Sequence, residues 1–260
     1  MGPLEGKVAI VTGGAGGIGS GTCRLLAGQG ASVVVADIPD TKPSQLAEEL
    51  VASGHQALGV EVDISDEAQV EAMIRAAVHA FGRIDGLHAN AAATYLVQND
   101  GLLSDVSRAV FEEAFQVNVL GTWLCCKHVI PVMIDGGGGS IVATSSIAAT
   151  HADVERTSYG VTKAAIAQLM RTVAAQFGKQ GIRANTILPG LIIHPATALL
   201  PDEYKQLILD NVATPRLGTP ESIGSLVAYL FSDDAQFLQG QEIRVDGGQY
   251  VLTTPRDASY

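Results

Sequence analysis

The sequence predicts an α/β fold in which seven short strands form one doubly wound parallel sheet with helices on both faces. Strand-like and helix-like segments alternate along the chain, which is the order that parallel strands with helical crossovers require. The strand-like segments are short, almost continuously apolar and rich in β-branched residues, as in strands buried on both faces. Glycine or proline follows several of them and marks the turns.

The first half of the chain contains four strand-like and three helical segments. The first strand ends in a glycine cluster, and the second contains three consecutive valines. Ser65 precedes the third helix, whose first turn holds Asp66 and Glu67, as expected near the positive end of a helix dipole. The predicted strands are Lys7–Thr12, Ser32–Asp37, Gln56–Val62 and Asp85–Ala89, and the helices are Gly17–Gly28, Ser44–Ser53 and a segment from Ser65 to Phe81.

The second half contains three further helices and three further strands. Gly178 is well placed to end the helix before it, Pro189-Gly190 ends a strand, and Pro220 stands at the first position of a helix, where proline is favoured. The predicted helices are Arg108–Ile134, Thr157–Phe177 and Pro220–Phe231, and the strands are Ser140–Thr144, Ile182–Leu188 and Glu242–Val245.

The composition predicts one compact domain. Hydrophobic residues make up 47% and charged residues 17% of the chain, as in globular proteins. No linker, repeat or low-complexity segment divides residues 1–260, so we expect a single domain. Residues 191–218 are the main irregular stretch and contain three prolines. A loop of that length is usually functional, and we predict that it binds substrate.

Charge and cysteine content narrow the classes of partner. The net charge is −11 and no basic stripe is present, which argues against nucleic acid or an anionic membrane as partner. The three cysteines, an odd number, indicate free thiols in a reducing compartment, and we expect a cytoplasmic protein without a signal peptide or membrane span. No Cys/His cluster has metal-ligand spacing, so no metal is expected.

A glycine-rich turn lies between the first strand and the first helix. It runs Thr12-Gly13-Gly14-Ala15-Gly16-Gly17-Ile18-Gly19. Glycines let the backbone approach a pyrophosphate, and a helix N-terminus supplies free N–H groups and positive potential. Although such turns can merely connect two elements, this position predicts a dinucleotide site in a Rossmann-type sheet.

Asp37 ends the second strand, about 20 residues beyond the glycine turn, where an acidic residue can bind the adenosine ribose. No Arg or Lys lies in Gly14–Gly19, and Ile38 follows Asp37, so the sequence favours NAD over NADP. The alternative is an aspartate that only caps a turn. Asp63, at the end of the third strand, is equally consistent with an adenine contact and with a turn residue.

Tyr159 and Lys163 stand four residues apart in a predicted helix and therefore share one face. A free phenol titrates near pH ~10, and a neighbouring ammonium would lower that pKa toward the range useful for moving an alcohol proton. Ser146 supplies a hydroxyl for the same substrate oxygen. A solvated Tyr and Lys on a helix face is the alternative.

These motifs together resemble the short-chain dehydrogenase/reductase family, over nearly the whole chain. The family's Thr-Gly-x3-Gly-x-Gly loop, active-site Asn and Ser, Tyr-x3-Lys pair and Pro-Gly turn are matched by Thr12, Gly13, Gly17, Gly19, Asn118, Ser146, Tyr159, Lys163, Pro189 and Gly190. The resemblance implies that Tyr159 is the acid/base, that Lys163 lowers its pKa and binds the nicotinamide ribose, and that Ser146 polarises the substrate oxygen. Asn118 would bind a water that links Lys163 to solvent.

The resemblance also implies an NAD site, and the chain departs from the family pattern at a few positions. The residues assigned to NAD are Gly13, Gly17, Ile18, Gly19, Asp37, Asp63, Ile64, Asn90, Tyr159, Lys163, Pro189, Gly190, Ile192 and His194. Ala92 stands where the family has glycine after Asn90-Ala91, and His194 stands where it often has a threonine that touches the carboxamide. The segment Thr94–Ser107 looks longer than usual and is expected to shape the substrate entrance.

The expected substrate is an uncharged hydrophobic secondary alcohol or its ketone: alicyclic, steroid-like or a dihydrodiol. The candidate pocket residues are mostly apolar, and no Arg or Lys clamp for a carboxylate is evident. They are Ala93, Thr94, Tyr95, Ile147, Ala148, His151, Val154, Glu155, Leu191, Ile192 and residues 196–213, with Leu199, Leu200, Leu207 and Ile208 as an apolar lid.

Two other classes remain open at this point. A catalytically silent nucleotide-binding regulatory protein would keep the fold, but would not need Ser146, Tyr159 and Lys163. A glycine-loop methyltransferase would likewise not need Tyr-x3-Lys.

The long helices carry apolar residues on more than one face, which together with the resemblance predicts a homo-oligomer, a tetramer. The candidate interface residues are Trp123, Leu124, Val161 and Leu169.

Overall fold

The computed structural model describes residues 2–249 and residue 251, and the ends of the predicted 1–260 domain fall outside them. Its seven strands form one parallel sheet in the order β3-β2-β1-β4-β5-β6-β7, which confirms the predicted doubly wound α/β fold. The strands are β1 Val8–Thr12, β2 Ser32–Asp37, β3 Ala57–Glu61, β4 Gly86–Ala89, β5 Gly139–Thr144, β6 Ile182–Pro189 and β7 Glu242–Val245.

Helices cover both faces of this sheet because alternate strand residues point to opposite sides. Ile10 of β1 joins a core cluster with the helices α3, α5 and α6, whereas its neighbour Val11 joins a second cluster with α1, α2 and α9. The helices are α1 Gly17–Gly28, α2 Pro43–Ala52, α3 Glu67–Phe81, α4 Arg108–Phe115, α5 Thr122–Asp135, α6 Thr157–Phe177, α7 Pro195–Ala198, α8 Asp202–Asp210 and α9 Pro220–Phe231.

The predicted helix Arg108–Ile134 is not continuous. Its α-helical ends, α4 and α5, are joined by a wider π-helical segment, Gln116–Gly121. By length and composition alone, Arg108–Asp135 could cross a membrane, but half of its most apolar window is buried in the fold, as in core helices of water-soluble proteins. Short π-helical insertions are frequent at functional sites, and Asn118 lies within this one.

Two smaller predictions need correction. Residues 191–218 are not irregular throughout, because they contain α7 and α8. The cap of α3 is Asp66, which accepts hydrogen bonds from Ala68 N and Gln69 N, and not Ser65. Helix α6 ends at Phe177 with Gly178 as its C-cap, as predicted, and the left-handed glycine that follows is Gly181 at φ +85°.

Candidate active site

The carboxyl ends of β1, β4, β5 and β6 meet at one edge of the sheet, around the point where the strand order reverses between β1 and β4. In doubly wound sheets this crevice is where ligands bind. The predicted site residues follow these strand ends or the helices that start near them. The fold therefore gathers motifs that are far apart in the sequence.

The glycine turn after β1 is closely packed. Gly13 adopts φ +62°, a left-handed conformation that favours glycine. A Cβ on Gly19 would lie 2.0 Å from the carbonyl oxygen of Gly13, so no larger residue fits there. Gly16, which precedes α1, offers no side-chain cap. The free N–H groups at the start of α1 thus suit a pyrophosphate, and the residues fit a dinucleotide.

Asn90 braces this turn from the end of β4. Its Nδ2 donates to the carbonyl oxygens of Thr12 and Gly13 at 3.2 and 3.3 Å, and the Thr12 hydroxyl accepts from Asn90 N at 3.1 Å. Ala92, which replaces a glycine of the family pattern, needs no left-handed conformation, since Lys42 alone among the described non-glycine residues has positive φ. The alanine is therefore accommodated without backbone strain.

The carboxylates of Asp37 and Asp63 have different hydrogen-bond partners. The Asp37 carboxylate accepts from Ala15 N at 3.0 Å and from Ile38 N at 2.8 Å, so it lies directly beside the glycine turn, where it also fastens the turn to β2. Asp63 accepts from the N–H and the hydroxyl of Ser65 at 2.9 and 2.7 Å. Asp63 therefore has a turn role, and its contact with adenine stays a prediction.

Ile18 and Ile64 both pack against the hydrophobic core. Ile64 is buried, and a Cβ on Gly121 would lie 2.6 Å from its Cγ1. Ile18 packs against the core cluster that contains α1 and α9. Any contact of either side chain with NAD remains a prediction.

Tyr159 and Lys163 lie in the first two turns of α6, beside the end of β5. Ser145 fastens this helix to the strand by donating from its hydroxyl to Lys163 O at 2.7 Å. Lys163 Nζ donates to Thr144 O at 2.9 Å and lies 5.5 Å from the centre of the Tyr159 ring. Ser146 follows directly, and its Oγ accepts from Ala148 N at 3.1 Å. The structure therefore brings the three predicted catalytic side chains together.

Burial shifts the pKa values of both ionisable groups. It lowers the pKa of Lys163 to about 8, because the ammonium is largely removed from water. Burial also raises the pKa of the Tyr159 phenol, whereas the Ser146 hydroxyl and the charge of Arg156 lower it. The phenol pKa is therefore raised and not lowered as the sequence predicted, because burial outweighs the groups that favour the phenolate.

Asn118 is placed at the site but its side chain is already engaged. Its Oδ1 accepts from Ala93 N at 2.8 Å, and its Nδ2 donates to the Thr162 hydroxyl at 3.0 Å. Its carbonyl oxygen accepts from the Thr122 hydroxyl at 2.7 Å. The amide thus ties the π-helical segment to α6. The predicted role of Asn118 in holding a water stays a prediction.

His194 closes the other side of the glycine turn. A Cβ on Gly17 would lie 2.3 Å from the His194 ring, so this glycine gives the imidazole its place at the start of α1. His194 N donates to the Thr197 hydroxyl at 2.9 Å, and burial lowers the pKa of the imidazole. Pro189 and Gly190 lead into this loop, where Gly190 N donates to Val245 O at 3.1 Å. Contact of His194 with the carboxamide stays a prediction.

The lid residues are distributed over α8 and the turn before it. Leu199 is 86% and Leu207 58% exposed, which shows that they are not core residues. The base of the loop is closed by a bridge between Ile192, which is buried, and Gly218.

Sequence reasoning missed Arg156, which ends the turn before α6 and whose guanidinium pairs with Asp153 at 2.6 Å.

Sequence reasoning also missed Asp100, whose carboxylate contacts the first turn of α6. An aspartate before Gly101 resembles an ordinary turn residue, and no sequence signal links it to a helix more than fifty residues later. Away from the site, Glu67, Glu71 and His128 place their ligand atoms close together, but the Lys127 ammonium already pairs with Glu67.

Fold and site together define a dinucleotide-binding oxidoreductase of the Rossmann type. The family model described as enoyl-(acyl carrier protein) reductase matches residues 13–249. The 7alpha-hydroxysteroid dehydrogenase of Bacteroides fragilis is 37% identical over 95% of this chain and 96% of its own. The cis-4-hydroxycyclohexanecarboxylate dehydrogenase of Sinomonas cyclohexanicum is 36% identical over 93% of this chain and 96% of its own.

A solved structure agrees with these relatives. It is a 7alpha-hydroxysteroid dehydrogenase complexed with NADH and 7-oxo glycochenodeoxycholic acid, with a TM-score of 0.88, 34% identity and coverage of 94% of each chain. The chain belongs to the short-chain dehydrogenase/reductase family. It is an oxidoreductase acting on CH–OH groups, which confirms that prediction over the methyltransferase alternative.

Proposed function

We propose that this protein uses NAD to interconvert an uncharged hydrophobic secondary alcohol and its ketone, with Tyr159 as acid/base. The observation that carries the proposal is the placement of Ser146, Tyr159 and Lys163 together at the edge of the sheet that also holds the glycine turn. Folding does not require these three residues together, whereas they suit proton transfer to or from an alcohol.

The role of each side chain in the reaction follows from these contacts. When bound, NAD supplies the hydride acceptor. Tyr159 takes the hydroxyl proton during oxidation, and Ser146 donates a hydrogen bond to the substrate oxygen, which stabilises charge that develops there. The nearby Arg156 favours the phenolate. Lys163, whose ammonium donates to Thr144 O at 2.9 Å, would be a second cation beside the phenol and would hold the nicotinamide ribose.

The substrate class is inferred from the surroundings of Tyr159. Arg156 is the cation nearest in sequence to Tyr159, and its pairing with Asp153 makes it a poor receptor for a substrate carboxylate. Exposed apolar side chains of the lid, Leu199 and Leu207, favour a hydrophobic ring system. Two relatives are named for a hydroxysteroid and a hydroxycyclohexane carboxylate, and both names contain a ring-borne hydroxyl, which supports the ring system. The second name also contains a carboxylate, so the uncharged character of the substrate rests on the pairing of Arg156 alone.

A substrate panel tests this assignment. Cyclic secondary alcohols, hydroxysteroids and dihydrodiols are each compared with a carboxylated or phosphorylated counterpart by NADH formation. We expect the highest kcat/KM for an uncharged member of each pair. A clear preference for the charged members would contradict the proposed substrate class while leaving the reaction type intact.

The preference for NAD over NADP is assigned to Asp37, which lies beside the glycine turn. We expect Asp37→Ala to weaken NADH binding by about tenfold and to improve NADPH binding relative to it, because the carboxylate would bind ribose hydroxyls and repel a 2′-phosphate. Fluorescence titration with both nucleotides measures the ratio. Asp40→Ala, at a neighbouring exposed aspartate, is the control and should change neither affinity. An unchanged ratio in Asp37→Ala would exclude this role.

We also propose a cytoplasmic homotetramer. All three cysteines are free and buried, which suits a reducing compartment. A surface groove of about 640 Å³ is lined mainly by apolar residues of α4, the π-helical segment, α5 and α6, including Trp123, which is 42% exposed, and Leu169. Leu124, in contrast, is core and not an interface candidate. A second copy of this chain would bury the groove.

Light scattering tests the assembly. At micromolar concentration we expect the mass of a tetramer, and we expect Trp123→Glu to reduce it, because the new charge would be buried at the interface without a partner. Tyr229→Glu, at a similarly exposed aromatic on α9, is the matched control. A monomeric wild-type protein would show that the proposed assembly is wrong.

A further inference from the structure

The first turn of α6, which carries Tyr159 at its third position, has no cap of its own. Arg156 precedes the helix, and its side chain makes no hydrogen bond to this turn. The hydroxyl of Ser158 is buried without a hydrogen-bond partner among the described residues. Because the first N–H groups of a helix lack intrahelical acceptors, those of α6 need an acceptor from elsewhere.

Asp100 supplies that acceptor from a loop far away in the sequence. Its Oδ1 accepts from Ser158 N at 3.0 Å, and its Oδ2 accepts from Tyr159 N at 2.9 Å. These second and third N–H groups are the ones that an N-cap side chain normally satisfies. Beside them, the Thr157 hydroxyl donates to Gly101 O at 2.8 Å. The start of α6 is therefore held by the segment Asp100-Gly101.

The loop that carries Asp100 is itself anchored. Leu96 is buried with Ala93 and Ala114, and Asp100 N donates to Leu96 O at 2.9 Å. Between this loop, Asn118 and Tyr159 lies a cavity of about 10 Å³, which is close to the smallest space that holds one water. Such close packing leaves the carboxylate little freedom, so a change at Asp100 is transmitted to the backbone of Tyr159.

We propose that Asp100 is a positioning residue for the reaction: by capping α6 across the loop, its carboxylate fixes where the Tyr159 hydroxyl meets the substrate. This inference rests on the proposed function of Tyr159 as acid/base. The charge of Asp100 also complements the positive end of the helix. The segment Thr94–Ser107, expected to shape the substrate entrance, thereby gains a second role as a support for the catalytic helix.

The experiment compares two caps of the same kind. Asp66 caps α3 by accepting from Ala68 N and Gln69 N at 2.9 and 3.2 Å, and α3 contains none of the site residues. We expect Asp100→Ala and Asp66→Ala to lower the midpoint of thermal unfolding similarly. Only Asp100→Ala should lower kcat, by about 10- to 100-fold, because small misplacements of a reacting group have large effects on rate. KM and NADH affinity should be unchanged.

A second variant and a second readout keep the inference testable. Asp100→Asn occupies the same space but retains one acceptor for the two N–H groups, so its kcat should be intermediate. Amide hydrogen exchange in the first turn of α6 should be faster in both Asp100 variants than in Asp66→Ala. A kcat for both Asp100 variants equal to that of Asp66→Ala would overturn the inference. Absence of turnover in the wild-type protein would instead refute the proposed function, while unchanged exchange would refute the cap.

Discussion

Replacing Tyr159 by Phe is expected to lower kcat by about 10²- to 10⁴-fold while the protein remains folded and binds NADH. The hydroxyl is the group assigned to the substrate proton, whereas the ring, which lies 5.5 Å from Lys163 Nζ, would be retained in the variant. Steady-state kinetics on the best alcohol of the panel measures the effect. Fluorescence titration with NADH verifies that the cofactor site is intact.

The matched control is Tyr229→Phe. Tyr229 is also a partly exposed tyrosine, but it lies on α9 and its hydroxyl points to Asp234 O at 3.5 Å. Removing that hydroxyl should leave kcat unchanged. Wild-type turnover by Tyr159→Phe would remove the acid/base role from this residue, and the activity would then have to be assigned to another group.

The second large effect is expected for Lys163→Met, which should abolish most activity and yet stabilise the fold. Burial lowers the pKa of Lys163 to about 8 from an ordinary value of 10.5, which corresponds to about 3 kcal/mol against the buried ammonium. Met has a similar volume and no charge, but it leaves Thr144 O without the donor that Lys163 Nζ provides. At pH 7 we expect a net gain of about 1–2 kcal/mol in the free energy of unfolding.

The pH dependence of this gain follows from the sign of the shift. Below pH 8 the lysine is charged in both the folded and the unfolded state, so its burial destabilises the wild-type protein fully. Between pH 8 and 10.5 the folded state binds fewer protons than the unfolded state, and wild-type stability rises with pH. The stability difference between Lys163→Met and wild type should therefore shrink over that range.

Denaturant unfolding of both proteins at pH 7 and pH 10, together with kinetics at pH 7, checks this prediction. We expect kcat to fall at least about 100-fold, because the cation that favours the phenolate is lost. Lys179→Met, on the short turn after α6, is the control and should change neither quantity. A variant less stable than wild type at pH 7, or a stability difference that grows with pH, would show that the buried ammonium is not destabilising.

The sheet could be predicted from the sequence because its signals are local. Each strand is a short apolar run, and each predicted strand lies within two residues of the observed bounds. The π-helical segment around Asn118 could not be predicted, because it depends on contacts of the Asn118 side chain with Ala93 and Thr162 across the fold. Helices α7 and α8 were missed because three prolines made residues 191–218 look irregular.

The candidate site could likewise be predicted from the sequence only where its signals are local. The glycine turn and the Tyr159–Lys163 pair are readable because fixed local spacing brings them together. Asp100 caps α6, and His194 lies over Gly17. Both contacts join residues that are distant in sequence, so residue spacing does not predict them. The phenol pKa was predicted with the wrong sign because the helix face alone does not reveal that the phenol is buried.

The most direct test follows the hydride itself. An alcohol from the best-performing class, deuterated at the carbinol carbon, is incubated with NAD and the protein, and the products are analysed by mass spectrometry. The account predicts deuterated NADH and ketone in equal amounts with the wild-type protein, and at least about 100-fold less of both in the same time with Tyr159→Phe. Ketone without deuterated NADH, or equal product from both proteins, would contradict it.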